Sequence, residues 1–264
     1  MRVSLMQHTL IILSLSSLLL GLLPEASMAQ PRVVRSGPQT VALLELYTSE
    51  GCNSCPPADE FVRTLAPKGL GLDRVVPLGL HVDYWDKLGW PDRFAQAIFT
   101  QRQRALAARQ RSRTIYTPQL VLDGQAFNTW SAMDAAVQRL NQTPSRADLS
   151  LEIASQTAAA LDVVVQARVP EAQSRAGVQL YVALYENRLT STVTAGENAG
   201  HTLHHDAVVR QWLDPVALDA QGAARRQHTF ALHGDWKTAD LGLVVFVQAP
   251  AGDVLQTLAV PLGP

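Results

Sequence analysis

Cysteine is nearly absent from this sequence: 264 residues contain two, Cys52 and Cys55. A framework of structural disulfides is thereby excluded, as is a zinc site built on cysteines alone, which takes about four ligands. Charge of one sign is lacking too, since 22 Lys and Arg are dispersed among 23 Asp and Glu. Neither nucleic acid nor an anionic membrane surface is indicated as a partner. Any fold must be held by apolar cores.

One long apolar run occurs, residues 10–23, between Arg2 and a small-residue stretch ending Ser27-Met28-Ala29. It is short for a membrane span and has the order of a secretory signal, so residues 1–29 are expected to be cleaved away after Ala29, a retained anchor being the competing reading. The mature chain of about 235 residues has room for two ordinary domains. Its expected location is the bacterial periplasm or the outside of the cell, with no stable membrane anchor after cleavage.

Both cysteines lie in the stretch 45–57, ELYTSEGCNSCPP, three positions apart. A disulfide between such neighbours closes a tiny loop and is a poor staple, so chemistry explains the pair better. The run before it, VALLELY at 41–47, is apolar on both faces apart from Glu45, as a central strand of a parallel sheet would be. Cys52 stands where a helix begins, with Pro56 and Pro57 in the first turn.

The order that follows is a strand at 75–85, one long helix or two short ones at 93–111, a strand at 119–122 before the Asp123-Gly124 hairpin signal, and a helix at 130–140. With Cys-x-x-Cys between the first strand and helix, and Thr117-Pro118 before the third strand, this order resembles the thioredoxin fold. Beyond residues 141–146, about seven short and often alternating runs, LDVVVQARV and VQLYVALYE among them, predict an antiparallel immunoglobulin-like sandwich. The expected architecture is a signal peptide at 1–29, an α/β thioredoxin-like domain at 30–145 and an all-β, immunoglobulin-like sandwich domain at 146–264.

On the thioredoxin likeness, Cys52 is the exposed nucleophile and Cys55 the resolving cysteine, at a helix N-terminus that favours a thiolate. Pro118 is the cis proline facing them, with the Thr117 backbone free to pair with an extended substrate. Asn53 and Ser54 carry no charge and Glu50 lies close by, so the Cys52 pKa is expected only modestly below about 8.5. Glu45, buried in a strand, could pass the proton of Cys55; pointing to the other face, it would pair with an arginine or a backbone donor instead.

A right-handed crossover places His81, Asp83, Tyr84 and Trp85 on the sheet edge that carries Cys52, as a substrate groove or as a cap on the sheet. Farther on, His201, His204 and His205 lie near Glu197 and Asp206. Cys52 and Cys55 with His204 and His205 are one possible copper or zinc set; a solvated loop is the other reading.

The segments ELYTSEGCNSCPPAD, HVDYWDKLGWPD, YTPQLVLDG and GENAGHTLHHDAVVR together resemble an exported bacterial family known only by a domain-of-unknown-function label and grouped with thioredoxin-like proteins. That resemblance implies a thioredoxin-like domain and export, and no particular substrate. Thioredoxins carry an acid six positions before the first cysteine, where this chain has Leu46. The expected function is thiol-disulfide exchange with a protein disulfide or dithiol partner, without a bound cofactor. A metal-handling protein and a non-catalytic binding module are the alternatives.

Overall fold

Seven consecutive buried residues make β2 (Ala42–Thr48), the strand on which the functional end of the molecule is built. Its neighbours are β3 (Val75–His81), parallel to it, and β4 (Gln119–Leu122), antiparallel. On one face, Leu44 and Leu46 pack with Ala58 and Val62 of α1 (Pro56–Arg63) and with Met133 and Val137 of α3 (Met133–Asn141). On the other, Leu43, Leu78 and Leu80 pack with Phe99 and Leu106 of α2 (Ala97–Arg109). Cover on both faces is why the strand carries no apolar-polar alternation.

The structure, a computed structural model, describes residues 31–263. Its main sheet continues past β3 through β11 (Val208–Trp212), β8 (Gln179–Glu186), β14 (Leu241–Gln248) and β15 (Val254–Pro261). At the other edge β4 pairs with β5 (Gln125–Ala126), and β12 (Val216–Ala217) pairs with β8. β11 runs parallel to β3 where the Gly79 amide donates to the Ala207 carbonyl at 2.7 Å.

A second, antiparallel sheet of β1 (Arg32–Arg35), β6 (Asp148–Gln156), β7 (Ala160–Arg168) and β13 (Ala223–Ala231) packs over the far half of the first. Leu151, Val163, Val165 and Phe230 from this sheet share a core with Val182 and Leu184 of β8 and with Leu243 and Val245 of β14. The opposite face of the same strands, Ala183, Tyr185, Val244 and Phe246, joins the core under α2.

The expected succession of an α/β thioredoxin-like domain and an immunoglobulin-like sandwich is therefore corrected. The described chain is predominantly β-sheet, and its largest sheet combines strands from before and after residue 145. The physical reason lies in β8 and β14, which are apolar on both faces and so form central strands of a shared sheet, where a sandwich strand would expose one face. The described residues form one compact unit.

Locally, the strand expected to reach residue 85 stops at His81, and Asp83–Leu88 form a short 3₁₀ turn. Thr100 holds that turn: its hydroxyl donates to the Asp83 carboxylate at 2.5 Å and accepts from the Asp83 amide at 3.2 Å. The stretch 93–111 contains a single helix, α2. The expected secretory signal at 1–29 lies outside the described residues, among which no helix is long and apolar enough to cross a membrane.

Candidate active site and the buried histidine-carboxylate cluster

The C-terminal ends of the parallel strands β2 and β3 lie side by side, with Thr48 opposite His81. Between β2 and α1 the chain makes the turn that carries Cys52 and Cys55, joined as a disulfide with their Cα atoms 5.4 Å apart. Cys55 is the residue immediately before α1, and its carbonyl accepts from the amides of Ala58 and Asp59 at 2.8 and 3.2 Å. Pro56 and Pro57 lack amide hydrogens at positions where the helix has no internal acceptor for them. The Ser54 hydroxyl lies 3.3 Å from the Cys52 sulfur.

Cys52 was expected to be exposed, and both cysteines are fully buried. Part of the cover over this turn comes from the segment joining β9 (Leu189–Thr192) to β10 (Thr202–His205), two strands that pair only with each other. From it the Glu197 carboxylate accepts the Asn53 amide at 3.1 Å, and the Asn198 side chain donates to the carbonyls of Glu50 and Cys52. Gly196, at φ +75°, lets the segment pass close to Trp90, where a Cβ would stand 3.1 Å from that side chain's own Cβ.

On the second side stands the Thr117–Pro118 peptide bond, which is cis. The Trp85 indole donates to the Thr117 hydroxyl at 2.7 Å, and the Trp85 Cβ would be 3.4 Å from a Cβ on Gly51. Trp85 thus links the cysteine turn to the proline loop. Asp83 is engaged with Thr100, and Tyr84 is half-buried in the same turn. Glu45 is on the α2 side of the sheet, where Arg102 donates to its carboxylate at 2.5 Å and the Tyr47 hydroxyl at 3.3 Å.

Behind the disulfide turn lies a cluster of five buried ionisable residues: Glu50, Asp59, His81, Asp92 and His205. The Asp92 carboxylate accepts the Glu50 amide at 2.8 Å and the Phe94 amide at 2.9 Å, and meets His81 Nδ1 at 2.6 Å. Burial pushes the Asp92 pKa up, but His81 and these amides outweigh it and hold the carboxyl down at about 2. An ionised carboxylate can only accept, so Nδ1 of His81 carries the hydrogen and Nε2 is left without a partner.

His205 sits between two acids, with Nε2 3.5 Å from Glu50 and Nδ1 3.6 Å from Asp59. Burial lowers its pKa, while Asp59 and Glu50 override that and hold the imidazolium up to about 9. For Glu50, burial acts upward; His205, Ser191 and the Trp90 indole 2.8 Å away bring its pKa below the ordinary value. The imidazoles of His81 and His205 meet edge to face at 5.0 Å, with the Phe94 ring against both.

The alternative metal set of Cys52, Cys55, His204 and His205 is not assembled. The cysteines are bonded to each other, and the two histidines alternate along β10, His204 exposed and His205 buried. Of the sequence-derived candidates, His81 and His205 are brought together, beside the cysteine turn. Glu50, Asp59, Asp92 and Asn198 were not singled out as site residues. Asp59 had a readable signal, a carboxylate next to Ala58 and three residues before Val62 on the apolar face of α1. Asn198 gave none, since its partners are 148 and 146 residues away, and Asp92 showed only its local bond to the Phe94 amide, Glu50 being 42 residues away.

A family model described as "Protein of unknown function (DUF1223)" matches residues 43–248. Among solved structures, a structural-genomics target from Agrobacterium tumefaciens is similar at 24% identity, over 86% of this chain and 97% of its own, with a TM-score of 0.59. HBP35 of Porphyromonas gingivalis is similar at 17% identity, over 86% of this chain and 76% of its own, with a TM-score of 0.64. Likeness at these identities concerns the fold alone. Comparison with curated proteins gives no match.

Proposed function

The chain belongs to the DUF1223 family of proteins of unknown function, and from its own residues we propose that it is a thiol-disulfide oxidoreductase acting in the periplasm or outside the cell. The observation that carries this reading is the disulfide between its two cysteines, placed at the turn into α1. A bridge across three positions contributes little as a staple, whereas a sulfur at a helix start is suited to leave or attack as a thiolate. The apolar run at 10–23, read as a secretory signal, supports the location.

As an oxidant, the protein would take a substrate thiolate on the Cys52 sulfur. A new sulfur-sulfur bond forms, the bond to Cys55 breaks, and Cys55 leaves as the thiolate. A second substrate thiolate then attacks the substrate sulfur of the mixed disulfide, forming the substrate disulfide and releasing Cys52, so two electrons pass to the protein. Run backwards, the same steps reduce a substrate disulfide. Either direction requires Cys52, buried at rest, to become accessible to its partner, a protein disulfide or dithiol.

The test is equilibration of the purified protein in graded glutathione buffers, with free thiols quantified. A reversible two-electron transition that disappears in Cys52→Ser is expected. A disulfide that resists reduction in the folded protein, or does not reform, would sink the proposal.

A further inference from the structure

Asp59, His81 and His205 are buried, and one ligand atom from each lies within 4.8 Å of the other two. His81 commits Nδ1 to Asp92 and leaves Nε2 unpaired. The nitrogens of His205 make no hydrogen bond within ordinary length, Nδ1 lying 3.6 Å from Asp59 and Nε2 3.5 Å from Glu50, and an ion on this ring would take the place of the proton that those two carboxylates otherwise hold there. Buried polar atoms without partners are costly, and Nε2 of His81 and one nitrogen of His205 are left so within reach of the Asp59 carboxylate, where a single partner could serve both rings.

We infer that Asp59, His81 and His205 form a site for one divalent transition cation of the zinc class, with Asp92 and Glu50 standing behind the two imidazoles. Two imidazole nitrogens and a carboxylate oxygen are a donor set that zinc accepts, and three protein ligands leave a fourth position for water. A carboxylate behind a ligating histidine fixes its tautomer and orientation, and here each ring has one: Asp92 on Nδ1 of His81, Glu50 beside Nε2 of His205. The third ligand is steadied as well, since the Thr48 hydroxyl donates to the other oxygen of Asp59 at 3.2 Å.

Zinc bonds to nitrogen and oxygen are about 2.0–2.2 Å long. Ligand atoms up to 4.8 Å apart would therefore draw together on loading. The set contains no sulfur, so it is independent of the redox state of Cys52 and Cys55 and of the oxidoreductase reading.

The test uses the oxidised wild-type protein, treated with chelator and desalted. Titration with Zn²⁺ in competition with a chromophoric chelator is expected to show one ion per chain, and Co²⁺ to give ligand-field absorption with no thiolate-to-cobalt charge-transfer band. His81→Gln and His205→Gln should each weaken Zn²⁺ binding by about a hundredfold or more, and Asp92→Asn by roughly ten- to a hundredfold. His204→Gln, on the exposed face of the same strand, should bind as wild type. No stoichiometric binding to the wild type would overturn the inference and leave buried water as the partner of these nitrogens. So would a thiolate-type cobalt spectrum, or binding lost in His204→Gln and kept in His205→Gln. The cobalt spectrum is read on the wild type, so it decides even where a variant does not fold.

Discussion

The side-chain amide of Asn198 donates to the carbonyl oxygens of Glu50 and Cys52, at 2.8 and 3.0 Å. These carbonyls belong to the buried turn between β2 and α1, where no strand is available to pair with them. The Cys52 carbonyl also accepts the Cys55 amide at 3.2 Å, whereas the Asn198 amide supplies the Glu50 carbonyl with what secondary structure does not. The Asn198 amide also ties the covering segment to the residue whose sulfur would react.

Asn198→Ala should expose that coupling. The Glu50 carbonyl would lose its donor, at about 1–3 kcal/mol when nothing replaces it, the Cys52 carbonyl would keep only the Cys55 amide, and the cover over the disulfide would loosen. The expected result is a lower urea midpoint together with faster reduction of the disulfide by dithiothreitol under native conditions. An unchanged reduction rate in a destabilised variant would mean that the segment does not gate access to Cys52.

Arg102 is the second buried tie between elements from the two halves of the sequence. From α2 it bonds Glu45 of β2 and, at 3.0 Å, Gln248 of β14, and its guanidinium carbon lies 5.0–5.4 Å from the ring centres of Tyr181, Trp212 and Phe246. Removing one member of a buried ion pair strands the other, which costs about 3–5 kcal/mol. Arg102→Ala should lower the stability of the whole described unit in one cooperative step, and Arg102→Met with Glu45→Gln should recover much of the loss. Two separate unfolding transitions in Arg102→Ala would show that the halves fold independently despite the common sheet.

The parts of this molecule that were legible in its sequence are those decided locally. VALLELY reads as a doubly covered strand because both of its faces are apolar, and the paired prolines after Cys55 mark a helix start. VQLYVALYE reads as alternating because Ala183 stands between Val182 and Leu184. In the structure Ala183 and Tyr185 face the core under α2 while Val182 and Leu184 face the second sheet, so the strand is central and the two expected domains share it. The buried cluster was hidden for a related reason. His204 and His205 read as a pair, but the twofold period of a strand sends them to opposite sides, and the partners of His205 come from two other elements.

Asp123 gives the clearest dependence on pH. It occupies the β4–β5 turn at φ +47°, and its Oδ1 accepts the Leu43 amide at 2.9 Å. Burial raises its pKa to about 6, above the unfolded value of about 3.9. Below about pH 4 the carboxyl is protonated in both states and carries no penalty. Between about pH 4 and 6 the folded state keeps a proton that the unfolded state releases, so stability falls as pH rises, and above about pH 6 the loss is complete. For a partly exposed group this amounts to about 1–3 kcal/mol. Asn is neutral throughout, keeps an acceptor for Leu43 and tolerates a positive φ. Asp123→Asn should therefore be more stable than wild type at pH 7 by about that amount and equal to it near pH 4. Urea unfolding at the two pH values checks this, and a gain of the same size at both would rule out the buried carboxylate as its source.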